Sequence, residues 1–180
     1  MDKIKNSGAV LTHDVILEEI KKKNIKIEPF TEDQVGCASV DLTLGKQFRR
    51  YVKRDEPIHL DKVVDYRNED ITELVEVKDG EYFVLPPFTS CLGITRETIT
   101  LSPAICGLLE GRSSFARVGL IVHFTASFMM PGIKSQQVLE ICNFNNRPLY
   151  LYPGTRVCQF IFLRCDGEAE YKGKFVQQKL

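Results

Sequence analysis

The 180-residue sequence has no surplus of either charge, since 24 Lys and Arg stand against 24 Asp and Glu. A nucleic-acid coat or a polybasic membrane binder needs an excess of cationic side chains. Neither is expected here, although a zero sum leaves room for a local basic pocket that takes a small anion. No apolar run approaches the length that spans a bilayer. The opening MDKIKNSGAV has no apolar segment of the secretory kind. Six cysteines, Cys37, Cys91, Cys106, Cys142, Cys158 and Cys165, form no CxxC pair, and most sit beside apolar residues. Free, mostly buried thiols in a reducing compartment are the expectation, and with them a cytoplasmic setting.

Several kinds of chemistry are missing as well. The sequence has no GxxxxGK[ST] for a phosphate-binding loop and no GxGxxG for a dinucleotide fold. It has no GxSxG nucleophile. Its three histidines, His13, His59 and His123, are scattered, with no HExxH and no HxE followed by PCxxC. A zinc-hydroxide deaminase needs that last set, because the metal must be held by His and thiolates beside a proton-shuttling Glu. Hydrolysis by this chain is therefore expected to rest on carboxylate, hydroxyl and guanidinium groups, with any divalent ion brought in by the substrate.

What is present reads as strand. LTHDVILEEIKKKN predicts an opening helix, with Thr12 as N-cap, Val15, Ile16, Glu19 and Ile20 in helical register, and lysines at the end. In CASVDLTLG, Val40, Leu42 and Leu44 alternate with Asp41 and Thr43, as in a half-buried strand ending at Gly45. The charged stretch 53–79 reads as a surface excursion. Short segments rich in β-branched and aromatic residues then follow closely, bounded by Pro, Gly or Asn. The pattern predicts an all-β barrel or sandwich with one or two short helices, in one domain over 1–180. GRSSFARVG is the internal helix candidate, capped by Ser113 or Ser114 and ended by Gly119.

Two places carry candidate chemistry. Arg112, Ser113 and Ser114 open that short helix and can cradle a phosphate on its free N–H groups, with Arg117 one turn on. The plain alternative is a pair of capping serines. Glu140, in QQVLEICNF, lies among apolar neighbours. Alternation sets Val138, Glu140 and Cys142 on one face, and a carboxylate there must be hydrogen-bonded, paired or neutralised, which is how a general acid/base is tuned. The alternative is a strand glutamate facing water. His123, in IVHFT, reads as a satisfied core or interface histidine rather than a base. Asp41 reads as a structural hydrogen-bonding residue at a subunit contact rather than a catalyst, and Tyr150 and Tyr152 as strand packing before a turn.

ASVDLTLG, EGRSSFARVGLIVHFTA, VLEICNF and LYPGTRVCQFIF, in that order, closely resemble the dCTP deaminase branch of the dUTPase-like superfamily. The resemblance implies a mainly β fold, a distorted β-barrel of the dUTPase-like kind. It also implies a homotrimer with active sites shared between subunits, and zinc-independent deamination of dCTP to dUTP with Mg²⁺ bound through the triphosphate. Under it, Glu140 activates the attacking water, while Ser113 and Arg117 orient that water and stabilise the developing charge. Arg112 and Ser114 match phosphate-binding positions, and Ala126 matches the position whose backbone lies by the base. Tyr171, Lys174 and Gln178 match the C-terminal substrate-binding segment.

The sequence departs from the family pattern in two places. Met130 and Ser135 stand where dUTPases carry the aspartate and glycine of GxIDxxYxG, which argues against dUMP formation. Phe175 stands for the tyrosine of the tail motif, and few residues follow it. Those departures motivate two alternatives: a regulatory homologue that binds nucleotide with weakened catalysis, and a deaminase with altered choice of cytosine nucleotide.

Overall fold

The structure, a computed structural model, describes residues 10–61, 64–173 and 180. Its first element, α1 (His13–Lys21), buries Ile16 and Glu19 on the face that the spacing predicts. Thr12 occupies the N-cap position in extended conformation, but its hydroxyl makes no capping bond. What secures the helix is Glu19. Its carboxylate accepts from the Asn24 amide at 2.6 Å, Arg164 at 3.2 Å and Lys22 at 3.3 Å.

Eleven strands follow among the described residues: β1 (Ile25–Glu28), β2 (Val40–Tyr51), β3 (Thr72–Glu76), β4 (Phe83–Leu85), β5 (Ser90–Leu101), β6 (Ile105–Gly111), β7 (Leu120–Val122), β8 (Phe128–Met129), β9 (Lys134–Asn143), β10 (Leu149–Leu151) and β11 (Arg156–Arg164). A one-turn helix, α2 (Ser113–Ala116), sits between β6 and β7. The main sheet runs β7-β9-β5-β2-β11-β6-β8, with β1 paired to β5 and β3 to β2. It curls into half of a barrel, the mainly β architecture expected from the sequence. β4 and β10 form a separate pair. Alternate residues of the long strands supply the core, among them Leu42, Leu44, Phe48, Leu139, Phe160 and Phe162.

Several boundaries differ from the sequence reading. β2 does not end at Gly45 but continues to Tyr51. The glycine marks a close approach instead: a Cβ there would lie 2.9 Å from the Ile94 carbonyl oxygen, where β2 changes register against β5. Where short segments were expected, β5 runs twelve residues through SCLGITRETITL, with a register irregularity between Ile94 and Thr98. The excursion expected over 53–79 is irregular at first, but Thr72–Glu76 forms β3 against β2. In α2 the N-cap is Arg112, so Ser113 and Ser114 are the first helical residues rather than caps. Gly119 does close that turn, at φ +85° with its N–H on the Ala116 carbonyl at 3.0 Å. All six cysteines are free thiols. Cys91, Cys106 and Cys158 are buried, whereas Cys37 is exposed. No helix among the described residues is long and apolar enough to cross a membrane.

Candidate functional site

Strand β9 alternates as its sequence predicts, with Leu139 and Ile141 buried and Val138, Glu140 and Cys142 on the half-open face. Beside it, β7 ends at Val122 and the chain turns sharply through His123, whose φ is +57°. That backbone is unfavourable for a residue with a Cβ. Three contacts hold it. The His123 N–H donates to the Glu140 carbonyl at 2.6 Å, the ring Nε2 lies 2.9 Å from the Ala126 carbonyl oxygen, and Nδ1 lies 3.5 Å from the Glu140 N–H. His123 is thus the satisfied, buried histidine that the sequence suggested.

The turn brings Thr125 back over the glutamate. Its N–H and its hydroxyl both donate to Glu140 Oε2, at 3.1 and 2.5 Å. Oε1 accepts nothing from the described residues. The face is open, yet the carboxylate is fixed by its own chain rather than left to water. It lines a cavity of about 510 Å³ together with Ala126, Thr125, Tyr51, Tyr66, Ser90 and Cys142. Among the described residues no Lys or Arg lines that cavity. Burial raises the Tyr51 phenol above its ordinary pKa, and the Glu140 charge adds to the rise. The Cys142 thiol is raised by the same two causes in the same order.

The cationic residues lie elsewhere. Arg112 donates from Nη1 to the Arg156 carbonyl at 2.7 Å and pairs from Nη2 with Asp41 at 3.2 Å. Its charge is therefore partly engaged, with Asp41 as its ion-pair partner within the chain. Ser113, Ser114 and Arg117 are exposed, and their side chains bond to no other described residue. None of Arg112, Ser113, Ser114 and Arg117 lines the Glu140 cavity. Tyr171 is half-buried against the core, its N–H on the Pro131 carbonyl at 3.1 Å, and it too lies outside the cavity lining. Lys174, Phe175 and Gln178 lie outside the described residues. Met130 is exposed at the turn after β8. Of the site residues that the resemblance implies, the structure brings Glu140 and Ala126 to one cavity. Sequence reasoning missed Thr125, Tyr51 and Tyr66, and only Thr125, inside the quoted HFTA, carried a signal.

Among the described residues no three His, Cys, Asp or Glu side chains cluster to hold a metal ion. A curled β half-barrel thus holds a carboxylate fixed by its own chain in a cavity without a described cation, and carries a serine–arginine turn elsewhere on its surface. The chain belongs to the dCTP deaminase-like family, whose family model matches residues 10–165. It is 39% identical over 156 residues to "dCTP deaminase, dUMP-forming" of Mycolicibacterium vanbaalenii, covering 87% of this chain and 80% of that one. The protein of the same name from Dictyoglomus turgidum is 35% identical over 163 residues, covering 89% and 83%. Among solved structures, 2'-deoxycytidine 5'-triphosphate deaminase from Agrobacterium tumefaciens superposes with a TM-score of 0.68 at 22% identity. The match covers 88% of this chain but only 49% of that longer one, and it shows a shared fold.

Proposed function

We propose that this chain deaminates dCTP hydrolytically, with Glu140 as the general base and acid. The observation that carries the reading is the Thr125–Glu140 arrangement, in which one carboxylate oxygen is held by two donors and the other is left for a water in the cavity. In the proposed reaction that water gives its proton to Glu140 as it attacks C4 of cytosine. The carboxyl gives that proton to N3, then carries the proton of the new C4 hydroxyl to the amine, so that ammonia leaves and C4 keeps a carbonyl oxygen. Ala126 lends its backbone to the base. Ser113 and Arg117 orient the water and meet the charge that develops on the ring. Arg112 and Ser114 take the triphosphate, which arrives as its Mg²⁺ complex. Tyr171, Lys174 and Gln178 belong to the segment that closes on it. The absence of zinc from this scheme rests on the missing HxE and PCxxC ligands.

Glu140 and the serine–arginine turn do not share a cavity within one chain. The proposed site therefore joins Glu140 of one protomer to Ser113 and Arg117 of the next, in a homotrimer. The charge distribution supports this: a cavity with a carboxylate and no described cation does not hold a triphosphate alone, and Arg117 has no partner among the described residues to occupy it. A cytoplasmic setting, where thiols stay reduced, accords with six free cysteines.

The product is proposed to be dUTP, because Met130 offers no carboxylate to direct a water at phosphorus. A second reading, dUMP, is favoured by the names of the curated relatives. Incubation with dCTP and Mg²⁺, with ammonia, dUTP and dUMP followed separately, tests both. Ammonia release that Glu140→Gln lowers by about 10³-fold or more, with nucleotide binding retained, is the expected result. Undiminished turnover by that variant would remove Glu140 from the chemistry. Nucleotide binding without any turnover by the wild type would leave the regulatory alternative.

A further inference from the structure

One wall of the Glu140 cavity comes from neither β5 nor β9. Tyr51 closes β2, and Tyr66 belongs to the irregular segment that leads back to β3. Such a segment would ordinarily yield to a larger ligand, but this one is fixed from both sides. On its outer side Asp65 accepts the Arg67 N–H at 3.0 Å and the Arg67 guanidinium at 2.9 and 2.6 Å. The Asn68 carbonyl takes the N–H groups of Ile71 and Thr72 at 2.9 and 3.0 Å. Beneath lies Arg49, only 9% exposed. Its Nη1 donates to the Thr72 hydroxyl at 3.0 Å and to the Thr72 carbonyl at 3.3 Å. The Thr72 hydroxyl in turn donates to the Tyr66 carbonyl.

A buried guanidinium is costly. Arg49 forms no ion pair with a described carboxylate, and its Nε has no acceptor. What the cation does make is the relay through Thr72, which is itself fully buried. The relay ends on the backbone of the residue that lines the cavity.

We propose that Tyr66 and Tyr51 form a rigid size-selecting wall for the pyrimidine base, and that Arg49, acting through Thr72, is the positioning residue that holds Tyr66 in it. The proposal rests on the deaminase reading of the same cavity. If C4 is to reach a water on Glu140, then C5, its ring neighbour, enters the same cavity, so any group on C5 must fit against these walls. Beneath the cavity β5 and β9 pair without interruption from Ser90–Cys142 to Ile94–Val138. The aromatic wall stands on an irregular segment, and the buried Arg49–Thr72 relay ties its backbone at Tyr66 to β2. An added methyl group opposed by a fixed apolar wall is discriminated against by roughly 10- to 200-fold.

The test compares dCTP with 5-methyl-dCTP. The wild type is expected to favour dCTP in kcat/KM by about tenfold or more. Tyr66→Ala should narrow that ratio by about fivefold or more, chiefly through a lower KM for the methylated nucleotide. Thr72→Val, which keeps the shape of the side chain and removes the relay, should narrow it less. Thr72→Ser, which restores the hydroxyl, should return the wild-type ratio. A merely structural role for Thr72 would alter melting temperature and leave the ratio fixed. Equal use of both nucleotides by the wild type overturns the proposal, as does an unchanged ratio in both Tyr66→Ala and Thr72→Val. If Tyr66→Ala does not fold, Tyr66→Leu and the Thr72 pair decide on the same ratio. If the wild type turns over neither nucleotide, the deaminase reading fails by itself. Calorimetric binding of the same two nucleotides to wild type and Thr72→Val then judges the wall, with equal affinity ratios counting against it.

Discussion

Glu140 and Arg117 stand in opposite surroundings. The carboxylate lies half-buried on β9, with two donors from Thr125 on one oxygen and a turn braced by His123 behind them. The guanidinium extends from the end of α2 into solvent, without a partner among the described residues. The difference follows from what each group costs. A carboxylate drawn into a cavity with no cation must be satisfied by its own chain before any ligand arrives. A long cationic side chain at the surface keeps its water until something displaces it. One half of the proposed site is thus organised on folding, and the other is completed by assembly or by substrate.

The sharpest break in that comparison is Arg117→Ala. It should lower kcat/KM for dCTP by about 10²- to 10³-fold, the usual cost of removing a donor aimed at developing charge. The melting temperature should stay within about 1 °C, because no described contact is lost. Steady-state kinetics beside a thermal melt reads both, and a large drop in stability would show the guanidinium to be structural instead. On the organised side, Thr125→Val removes the hydroxyl donor and keeps the backbone one. A charge-assisted hydrogen bond of about 1.5–3 kcal/mol is at stake, so kcat should fall about tenfold or somewhat more. Unaltered kcat would mean that the backbone N–H alone positions Glu140.

A smaller effect separates the proposed catalytic carboxylate from a structural one. Burial pushes the Glu19 carboxyl up, but hydrogen bonds from Asn24, Arg164 and Lys22 outweigh it and hold the pKa below its ordinary value. A carboxyl depressed in the folded state contributes stability that is complete above its unfolded pKa, roughly 4.3, and is lost as pH falls through the lower folded value. Glu19→Gln should therefore cost about 1–2 kcal/mol near neutral pH. The gap from wild type should close in acid, below about pH 4. Urea titrations at pH 7 and pH 3.5 measure it, and a gap that widened in acid would reverse the sign of this account.

Alternation and turn residues made most of the sheet legible in the sequence. β9 could be assigned face by face, because Leu139 and Ile141 alternate with Val138, Glu140 and Cys142. Gly45 misled, since a glycine inside a strand and a glycine ending one look alike until the neighbouring strand is seen to press on it. The two serines misled for a similar reason: an N-cap is defined by backbone angles, and Arg112 has the extended ones. Within the candidate site, Glu140 could be read because an unpaired carboxylate breaks an apolar strand. Tyr51 and Tyr66 could not, because an exposed-looking tyrosine in a charged segment carries no period. The turn that drops Thr125 onto Glu140 depends on a left-handed His123, a conformation that no pattern of residue types announces.

The central claim is that the two halves come from different protomers, and mixed assemblies test it most directly. Glu140→Gln and Ser113→Ala, each expected to be nearly inactive alone, would be unfolded together, reassembled at equal ratio and assayed for ammonia release from dCTP. If a site takes Glu140 from one subunit and Ser113 from its neighbour, random mixing leaves about one site in four with both native residues, so about a quarter of wild-type activity should return. Activity that stays at the level of the separate variants would place both residues in one chain's site and contradict the account.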